Sequence, residues 1–234
     1  MDERTLRELE LAEVAKLYGW AERAVAQVTR EALAPVVEEA APAVLRDVSS
    51  LDWEALELAV RDCAQCGLCA KRKQAVFGVG ARSGPWMFIG EGPGADEDEL
   101  GDPFVGQAGK LLDGMLAAAG LKRGRDVYIA NVVKCRPPGN RTPTPGEMAA
   151  CAGYLDRQVE LVAPRLIVAL GKTAAIRLLG TEASLASLRG RMHAYKGIPV
   201  VVTYHPAYLL RTLPEKARAW EDLLFARHAL AAAS

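Results

Sequence analysis

Four short apolar runs alternate with longer helical segments from residue 85 onward, and this alternation constrains the fold more than any other feature. The runs are WMFIG, VYIANVV, RLIVALG and IPVVVTYH. Between them lie GQAGKLLDGMLAAAGL, GEMAACAGYLDRQVELVAP and KTAAIRLLG, each long and periodic enough to form a helix. Strands joined by crossover helices form a parallel sheet that helices cover. We therefore predict an α/β fold: a three-layer α/β/α sandwich with a four-stranded, mostly parallel central sheet.

The N-terminal part of the chain has a different pattern. Residues 2–33 carry apolar side chains at helical spacing, interrupted near Gly19, which predicts two short helices. Residues 34–50 contain two prolines and no clear period, and this is typical of a linker. Ser50 is the predicted N-cap of the next helix, LDWEALELAVRDC. We predict a helical extension with its linker over 1–50, which could bind an unidentified protein partner, and one domain over 51–234.

Charge is distributed unevenly although the net charge is zero. Residues 1–62 carry a net charge of −7 and residues 63–234 a net charge of +7. A basic domain suits a polyanionic partner such as DNA, and ordinary surface charge is the alternative. No apolar run approaches the roughly 18 residues that span a bilayer, and the charged N-terminus does not resemble a signal peptide. We expect a cytoplasmic protein that does not enter membranes.

Five cysteines form two groups. Cys63, Cys66 and Cys69 lie in CAQCGLC, a spacing that lets consecutive thiolates face one ion or cluster. Cys135 follows the second predicted strand, and Cys151 lies early in the next helix. Disulfides are rare in the cytoplasm, and no histidine stands nearby at a zinc-finger spacing. The residues favour an all-thiolate site for iron–sulfur or tetrahedral zinc over a set of free thiols, and spacing alone does not select the four ligands.

Six motifs occur in one order between about Cys63 and the C-terminus. They are CAQC, GEGPGADED, DPFVGQAGKLLD, NVVKCRPPGNRTPTPGE, a cysteine at position 151, and HPAYLLR. As a set they resemble the family 4 uracil-DNA glycosylases, whereas residues 1–62 fall outside the resemblance. The resemblance implies a monomeric enzyme that flips uracil out of single- or double-stranded DNA. It would hydrolyse the N-glycosidic bond and leave an abasic site, which initiates base excision repair.

The resemblance also implies a 4Fe-4S cluster held by Cys63, Cys66, Cys135 and Cys151, with Cys69 as a bystander. Such a cluster would tie the segment before the first strand to the loop and helix after the second. We therefore expect a structural role, although a cluster can also carry electrons. Four thiolates could equally hold zinc, and the colour of the protein distinguishes the two.

Three residues would form the uracil pocket. Phe104 would supply the apolar face on which a flipped pyrimidine stacks. The amide of Asn131 can donate to uracil O4 and accept from N3–H, whereas cytosine presents the reverse pattern. His205 alone among the three histidines follows a predicted strand, and the resemblance assigns it to stabilise the uracil anion at O2. Outside these motifs, a core phenylalanine and a turn asparagine would be the ordinary interpretations.

The loop GEGPGADED would place backbone N–H groups and Glu91 beside the base. In family 1 the corresponding loop carries an aspartate that handles the attacking water, and Gly92 stands at that position here. Gly92 would therefore bind uracil through its backbone only. Glu91 or Glu97 would position water and counter the positive charge of the sugar. Asp98 and Glu99 are expected in a solvated acidic turn.

The remaining predicted contacts are with the DNA strand. Leu209 or Leu210 could enter the gap left by the flipped nucleotide, and we predict Leu209. The candidates for phosphate contacts are basic residues near the same loops, namely Lys134, Arg136, Arg141 and Arg211. The stretch PPGNRTPTP is predicted to be an exposed loop that faces DNA.

Two other functions fit parts of this pattern. The first is a non-catalytic iron–sulfur module that binds nucleic acid or transfers electrons on the same fold. The second is a relative that traps uracil covalently and has a histidine-bearing insertion after the second strand. No histidine lies between Cys135 and Cys151, so we expect turnover without a stable protein–DNA adduct.

Overall fold

The structure, a computed structural model, describes residues 47–232. The two helices predicted within residues 2–33, and the predicted extension up to residue 46, lie outside the described residues. Within the described part, Val48 is already buried in the core.

The first described helix, α1 (Trp53–Arg61), leads the chain toward the cysteines. Its N-cap is Asp52, whose carboxylate accepts a hydrogen bond from the Ala55 N–H at 2.9 Å. The prediction of Ser50 as the cap is wrong, because the acceptor one residue before the helix satisfies its first turn. The helix buries Leu56, Ala59 and Val60. It is followed by a short 3-10 turn over Gly67–Ala70.

Within residues 47–232, six strands form one mixed sheet. They are β1 (Val79–Gly80), β2 (Trp86–Gly90), β3 (Val127–Asn131), β4 (Leu166–Leu170), β5 (Met192–Tyr195) and β6 (Ile198–Thr203). The order is β1-β3-β2-β4-β6-β5. The four predicted strands form the parallel centre of the sheet, and β1 and β5 pair antiparallel at its two edges. The predicted strand number of four is therefore corrected to six.

The two edge strands carry weak sequence signals for physical reasons. β1 has only two residues, and β5 alternates exposed and half-buried side chains instead of forming an apolar run. β5 joins β6 through Lys196 and Gly197, both with positive φ (48° and 79°). Two such residues form the tight turn of a hairpin. The Lys-Gly pair before the apolar run was thus the available signal for β5.

Helices cover both faces of the sheet. After α1 these are α2 (Ala95–Leu100), α3 (Gln107–Ala118), α4 (Pro145–Val162), α5 (Lys172–Leu179), α6 (Leu185–Leu188), α7 (Pro206–Leu209) and α8 (Glu215–Ala232). The predicted crossover helices α3, α4 and α5 are confirmed. Met87 and Ile89 of β2 face a core shared with α1, α4 and α5, whereas Trp86 and Phe88 face a core shared with α3 and α8. No helix within residues 47–232 is long and apolar enough to cross a membrane.

Candidate functional site

A cavity of about 760 Å³ opens at the carboxyl ends of the central strands. Residues 91–94 follow β2, Asn131 ends β3, Gly171 follows β4 and His205 comes shortly after β6, and all of them line the cavity. Parallel sheets bind ligands at this edge because the loops of several strands converge there. The rim is completed by Pro137, residues 140–142, Ala207, Tyr208 and Arg211. The cavity has the size of an ordinary small-molecule site.

Phe104 lies in the cavity wall with 5% of its surface exposed. Its backbone is left-handed, with a φ of 57°, and this conformation costs an L-residue about 1–2 kcal/mol. The centroid of its ring lies 5.5 Å from that of the His205 ring. The predicted stacking face and the predicted anion-stabilising imidazole therefore lie in one pocket.

The Glu97 carboxylate lies in the cavity wall and binds the protein backbone, and its role in positioning water stays a prediction. Its Oε1 accepts from the N–H groups of Val105 and Gly106 at 3.0 and 3.1 Å, and Oε2 accepts from the Gly94 N–H at 3.0 Å. Glu97 thus joins the loop after β2 to the segment that carries Phe104. Its neighbour Asp98 is 3% exposed and accepts from the Lys73 N–H, so the predicted solvated turn is wrong at that residue.

Asn131 is buried at the end of β3, beside the cavity. Its Oδ1 is buried and has no hydrogen-bond partner among the described residues. A buried unpaired acceptor costs about 1–3 kcal/mol, so this atom favours a ligand that donates. Gly90 pairs with Asn131 across the sheet, and a Cβ at Gly90 would lie 2.5 Å from that Oδ1 and 2.6 Å from Cζ of Phe104. Because Gly90 has no side chain, the space between Asn131 and Phe104 stays open.

The imidazole of His205 is held in one tautomer. It caps α7, and its Nδ1 accepts a hydrogen bond from the Ala207 N–H at 3.1 Å. Burial, with a smaller effect of nearby Arg211, lowers the pKa of His205 to about 4. At neutral pH the ring is therefore uncharged and carries its proton on Nε2. It can donate one hydrogen bond to a ligand in the cavity.

Glu91 and Gly92 follow β2 on the cavity wall. The hydroxyl of Thr173, in the first turn of α5, donates to Oε2 of Glu91. This contact orients the carboxylate, and no sequence motif marks it. Gly92 offers only its backbone, and a Cβ there would lie 2.7 Å from Cγ2 of Val133. A side chain at position 92 would therefore displace Val133.

The predicted wedge residue is corrected by one position. Leu209 is 0% exposed and packs with Tyr204 and Ala219. Leu210 is 41% exposed and comes directly after α7. A side chain that enters DNA must be accessible, so Leu210 replaces Leu209 as the candidate.

One of the four predicted phosphate contacts is also corrected. Lys134 is 1% exposed, and its Nζ donates to the Asn131 carbonyl at 2.9 Å and to Oε1 of Gln158 at 2.5 Å. Burial lowers the pKa of Lys134 to about 8. It supports the end of β3 and cannot reach a DNA strand.

The other three cations differ in their surroundings. Arg141 and Arg211 are exposed on the rim of the cavity. Arg141 also pairs with Glu147 at 2.6 Å. Arg136 donates to Oδ1 of Asn140 at 2.7 Å. Lys172, which the sequence analysis missed, adds an exposed cation on the rim.

All five cysteines line a second, small cavity. Arg72 donates to Sγ of Cys135 at 2.8 Å, and Lys134 lies on the wall. Burial raises the pKa of the Cys66 and Cys135 thiols and raises that of Cys151 to about 12. Such thiols bind metal by releasing their protons, and the adjacent cations would offset thiolate charge. The donor set therefore suits an all-thiolate centre.

Among the described residues, no group of three or more His, Cys, Asp or Glu side chains is arranged to hold a single metal ion. A multinuclear cluster does not need such an arrangement, because its thiolates bind different metal atoms.

Three residues around the first cavity had little or no sequence signal. Gly90 ends an apolar strand, and a glycine there was the available sign of a close approach. Thr173 donates a hydrogen bond to Glu91, and Arg123 donates one to the carbonyl of Phe104. No motif marks either residue, because both contacts join segments that are far apart in the chain.

The regions that match known proteins include most of the part of the chain that carries this cavity. A family model described as the uracil DNA glycosylase superfamily matches residues 77–224. A type-4 uracil-DNA glycosylase of Thermotoga maritima is 47% identical over 161 residues, which cover 68% of this chain and 83% of the relative. The type-4 enzyme of Archaeoglobus fulgidus is 45% identical, covering 67% and 84%. That of Pyrobaculum aerophilum is 42% identical, covering 74% and 92%.

The matched region contains the pocket residues Phe104, Asn131 and His205 and the distal cysteines Cys135 and Cys151. It begins after the cysteines of CAQCGLC and ends within α8. On this evidence the chain belongs to the uracil DNA glycosylase superfamily, and within it to the type-4 enzymes.

Proposed function

We propose that this protein removes uracil from DNA by hydrolysing the bond between N1 of the base and C1′ of the sugar. Water adds to C1′, uracil leaves and is protonated, and an abasic site remains for repair. The observation that carries the proposal is the convergence of Phe104, Asn131 and His205 on one cavity. These are a stacking face, an amide and a neutral imidazole, the three groups that excision of a flipped base needs.

Recognition of uracil depends on Phe104 and Asn131. A flipped base would stack on the Phe104 ring, a contact worth about 1–3 kcal/mol. The Asn131 Oδ1, which lacks a partner in the described residues, would accept from uracil N3–H, and its amide would donate to O4. Cytosine would leave both groups unpaired, and a buried polar site can reject such an analogue by about 10⁴- to 10⁵-fold.

Bond cleavage depends on stabilising the departing uracil anion. The Nε2–H of neutral His205 would donate to O2, where negative charge develops. Glu91, oriented by Thr173, would face the positive charge on the sugar and position water. Gly92 supplies no carboxylate, so more of the rate enhancement rests on His205.

We further propose that Cys63, Cys66, Cys135 and Cys151 hold a 4Fe-4S cluster beside Arg72 and Lys134. When bound, the cluster would crosslink the segment after α1 to the loop and helix that follow β3. Arg72 would donate to the Cys135 sulfur, as it does here. Cys69 lies in the same cavity as a fifth thiol.

Contacts with the DNA strand would come from the cavity rim. Arg141, Arg211 and Lys172 are exposed there and would contact phosphates, and Leu210 would fill the gap left by the base. The glycosylase domain would comprise 51–234, with residues 1–50 as an extension.

A strand-cleavage assay tests the activity. The protein is incubated with an oligonucleotide that contains one uracil, and hot alkali then breaks the strand at any abasic site. We expect cleavage in single- and double-stranded DNA, none with cytosine in place of uracil, and a loss of about 10²- to 10³-fold in His205→Gln. An intact uracil strand would refute the proposal, and a denaturation-resistant protein–DNA adduct would refute hydrolytic turnover.

A further inference from the structure

The segment that presents Phe104 is held by one arginine from outside the motifs. Nη1 and Nη2 of Arg123 donate to the carbonyls of Pro103 and Phe104, both at 2.9 Å. Its Nε donates to Asp113 of α3 at 2.8 Å. Every nitrogen of the guanidinium therefore donates a hydrogen bond, and two of the three bonds hold the consecutive carbonyls of Pro103 and Phe104.

These hydrogen bonds from Arg123 matter because the backbone of Phe104 is strained. A non-glycine residue with a φ of 57° persists only when its surroundings over-determine the conformation. Glu97 holds the next two N–H groups, and Gly109 lets α3 approach, since a Cβ there would lie 1.8 Å from the Phe104 oxygen. Arg123 binds the two carbonyl oxygens of the same turn. Its planar guanidinium suits two adjacent acceptors because it presents two parallel N–H donors.

We propose that Arg123 is a positioning residue of the uracil pocket, acting through Phe104. It does not line the cavity. Its ion pair with Asp113, whose side chain is 52% exposed, contributes little to stability by itself. The main consequence of losing Arg123 is therefore that the backbone turn at Phe104 relaxes. The Phe104 ring then leaves the orientation in which a flipped base would stack on it. This inference rests on the proposed function.

Three variants test the inference in the full-length protein. Arg123→Gln removes the guanidinium and its positive charge. Arg123→Lys keeps the charge but replaces the guanidinium with a single ammonium donor. Arg125→Gln is the matched control, because Arg125 is exposed and, among the described residues, pairs only with its neighbour Asp126. We expect single-turnover excision to fall about 10- to 100-fold in Arg123→Gln and less in Arg123→Lys, and to be unchanged in Arg125→Gln. Equal rates in Arg123→Gln and the wild type would overturn the inference.

A double-mutant cycle separates positioning from general destabilisation. In a Phe104→Ala background, Arg123→Gln should cause no further loss of rate, because the ring through which it acts is gone. The same fold-loss in both backgrounds would overturn the inference.

A spectroscopic measurement reports on Phe104 without depending on activity. The chain has four phenylalanines, so incorporation of 4-fluorophenylalanine gives four fluorine resonances, and Phe104→Leu identifies the one from position 104. We expect this resonance to shift or broaden in Arg123→Gln and not in Arg125→Gln. An unchanged resonance would overturn the positioning role. If the wild type failed to excise uracil, the proposed function would fall while this measurement still tested the contact.

Discussion

His205 shows how one backbone contact sets the chemistry of a residue. The Ala207 N–H occupies Nδ1, and burial lowers the pKa of the ring to about 4. In the proposed mechanism the imidazole would therefore meet the uracil anion as a neutral hydrogen-bond donor and not as a cation. Because the developing anion is the group that it would stabilise, this donor would have its largest effect in the transition state.

The lowered pKa of His205 predicts the acid limb of the rate profile. The active neutral form persists above the folded pKa, so we expect the single-turnover rate to stay level as pH falls through 6.5, the usual value, and to decline only toward about 4. Rates measured between about pH 3.5 and 8 check this, and His205→Gln should lack that limb. A rate that instead falls as pH rises above 6.5, in the wild type and not in His205→Gln, would show that the cation is the active form.

Gly90 provides a second test at the level of one residue. A methyl group at this position would press on the Asn131 amide and the Phe104 ring. We expect Gly90→Ala to lower the excision rate about 10- to 100-fold. Gly114→Ala is the control, since its Cβ would have no neighbour within 4 Å and the substitution in α3 should stabilise the helix by about 1 kcal/mol. A Gly90→Ala variant with the wild-type rate would contradict this description of the pocket.

At the scale of elements, the loops that follow β2 and β6 both contribute residues to the cavity lining. The short helix α7 begins at the His205 cap and buries Leu209, which fixes the direction of the chain. The next residue, Leu210, is consequently turned outward. The two adjacent leucines therefore have different roles, one in packing and one on the surface that would meet DNA.

Alanine variants of the two leucines should separate these roles. Leu210→Ala should leave stability unchanged and lower the excision rate on duplex DNA more than on single strands, where no partner strand must be displaced. Leu209→Ala should lower the free energy of unfolding by about 2–5 kcal/mol, because it leaves a cavity in the core. Thermal unfolding and rates on both substrates make the comparison. If Leu209→Ala alone impaired duplex excision in a stable protein, the assignment would be reversed.

At the scale of the whole molecule, the cysteine cavity joins segments that are distant in sequence. Cys63 and Cys66 follow α1, Cys135 follows β3, and Cys151 lies within α4. Lys134 connects this region to the pocket, since its Nζ donates to the carbonyl of Asn131. A centre bound by these thiolates would therefore stabilise the segment that supports Asn131.

Serine variants test which thiols bind the proposed cluster. Cys151→Ser should lose iron and the broad visible absorption and should unfold at a lower temperature, because metal binding contributes to folding. Cys69→Ser should retain all three properties. Iron content, absorption and unfolding are measured on proteins purified without oxygen. Loss of iron in Cys69→Ser, or a colourless wild type with stoichiometric zinc, would contradict the proposed centre.

The sequence by itself determined the parallel centre of the sheet, its crossover helices and the family. Apolar runs and helical periods are local properties, and the motifs around Phe104, Asn131 and His205 are continuous segments. These signals can be recognised in the sequence because each depends only on residues that are close together in the chain.

Only the tertiary structure decided which side chains are accessible and what they contact. Leu209 and Leu210 are both leucines, and Lys134 is as cationic as Arg211, so composition could not show that Leu209 and Lys134 are buried. The contact of Arg123 with the Phe104 carbonyl arises when α3 and β3 pack beside that loop. Burial and hydrogen bonding depend on which distant segments meet, and that is settled by the packing of the whole chain.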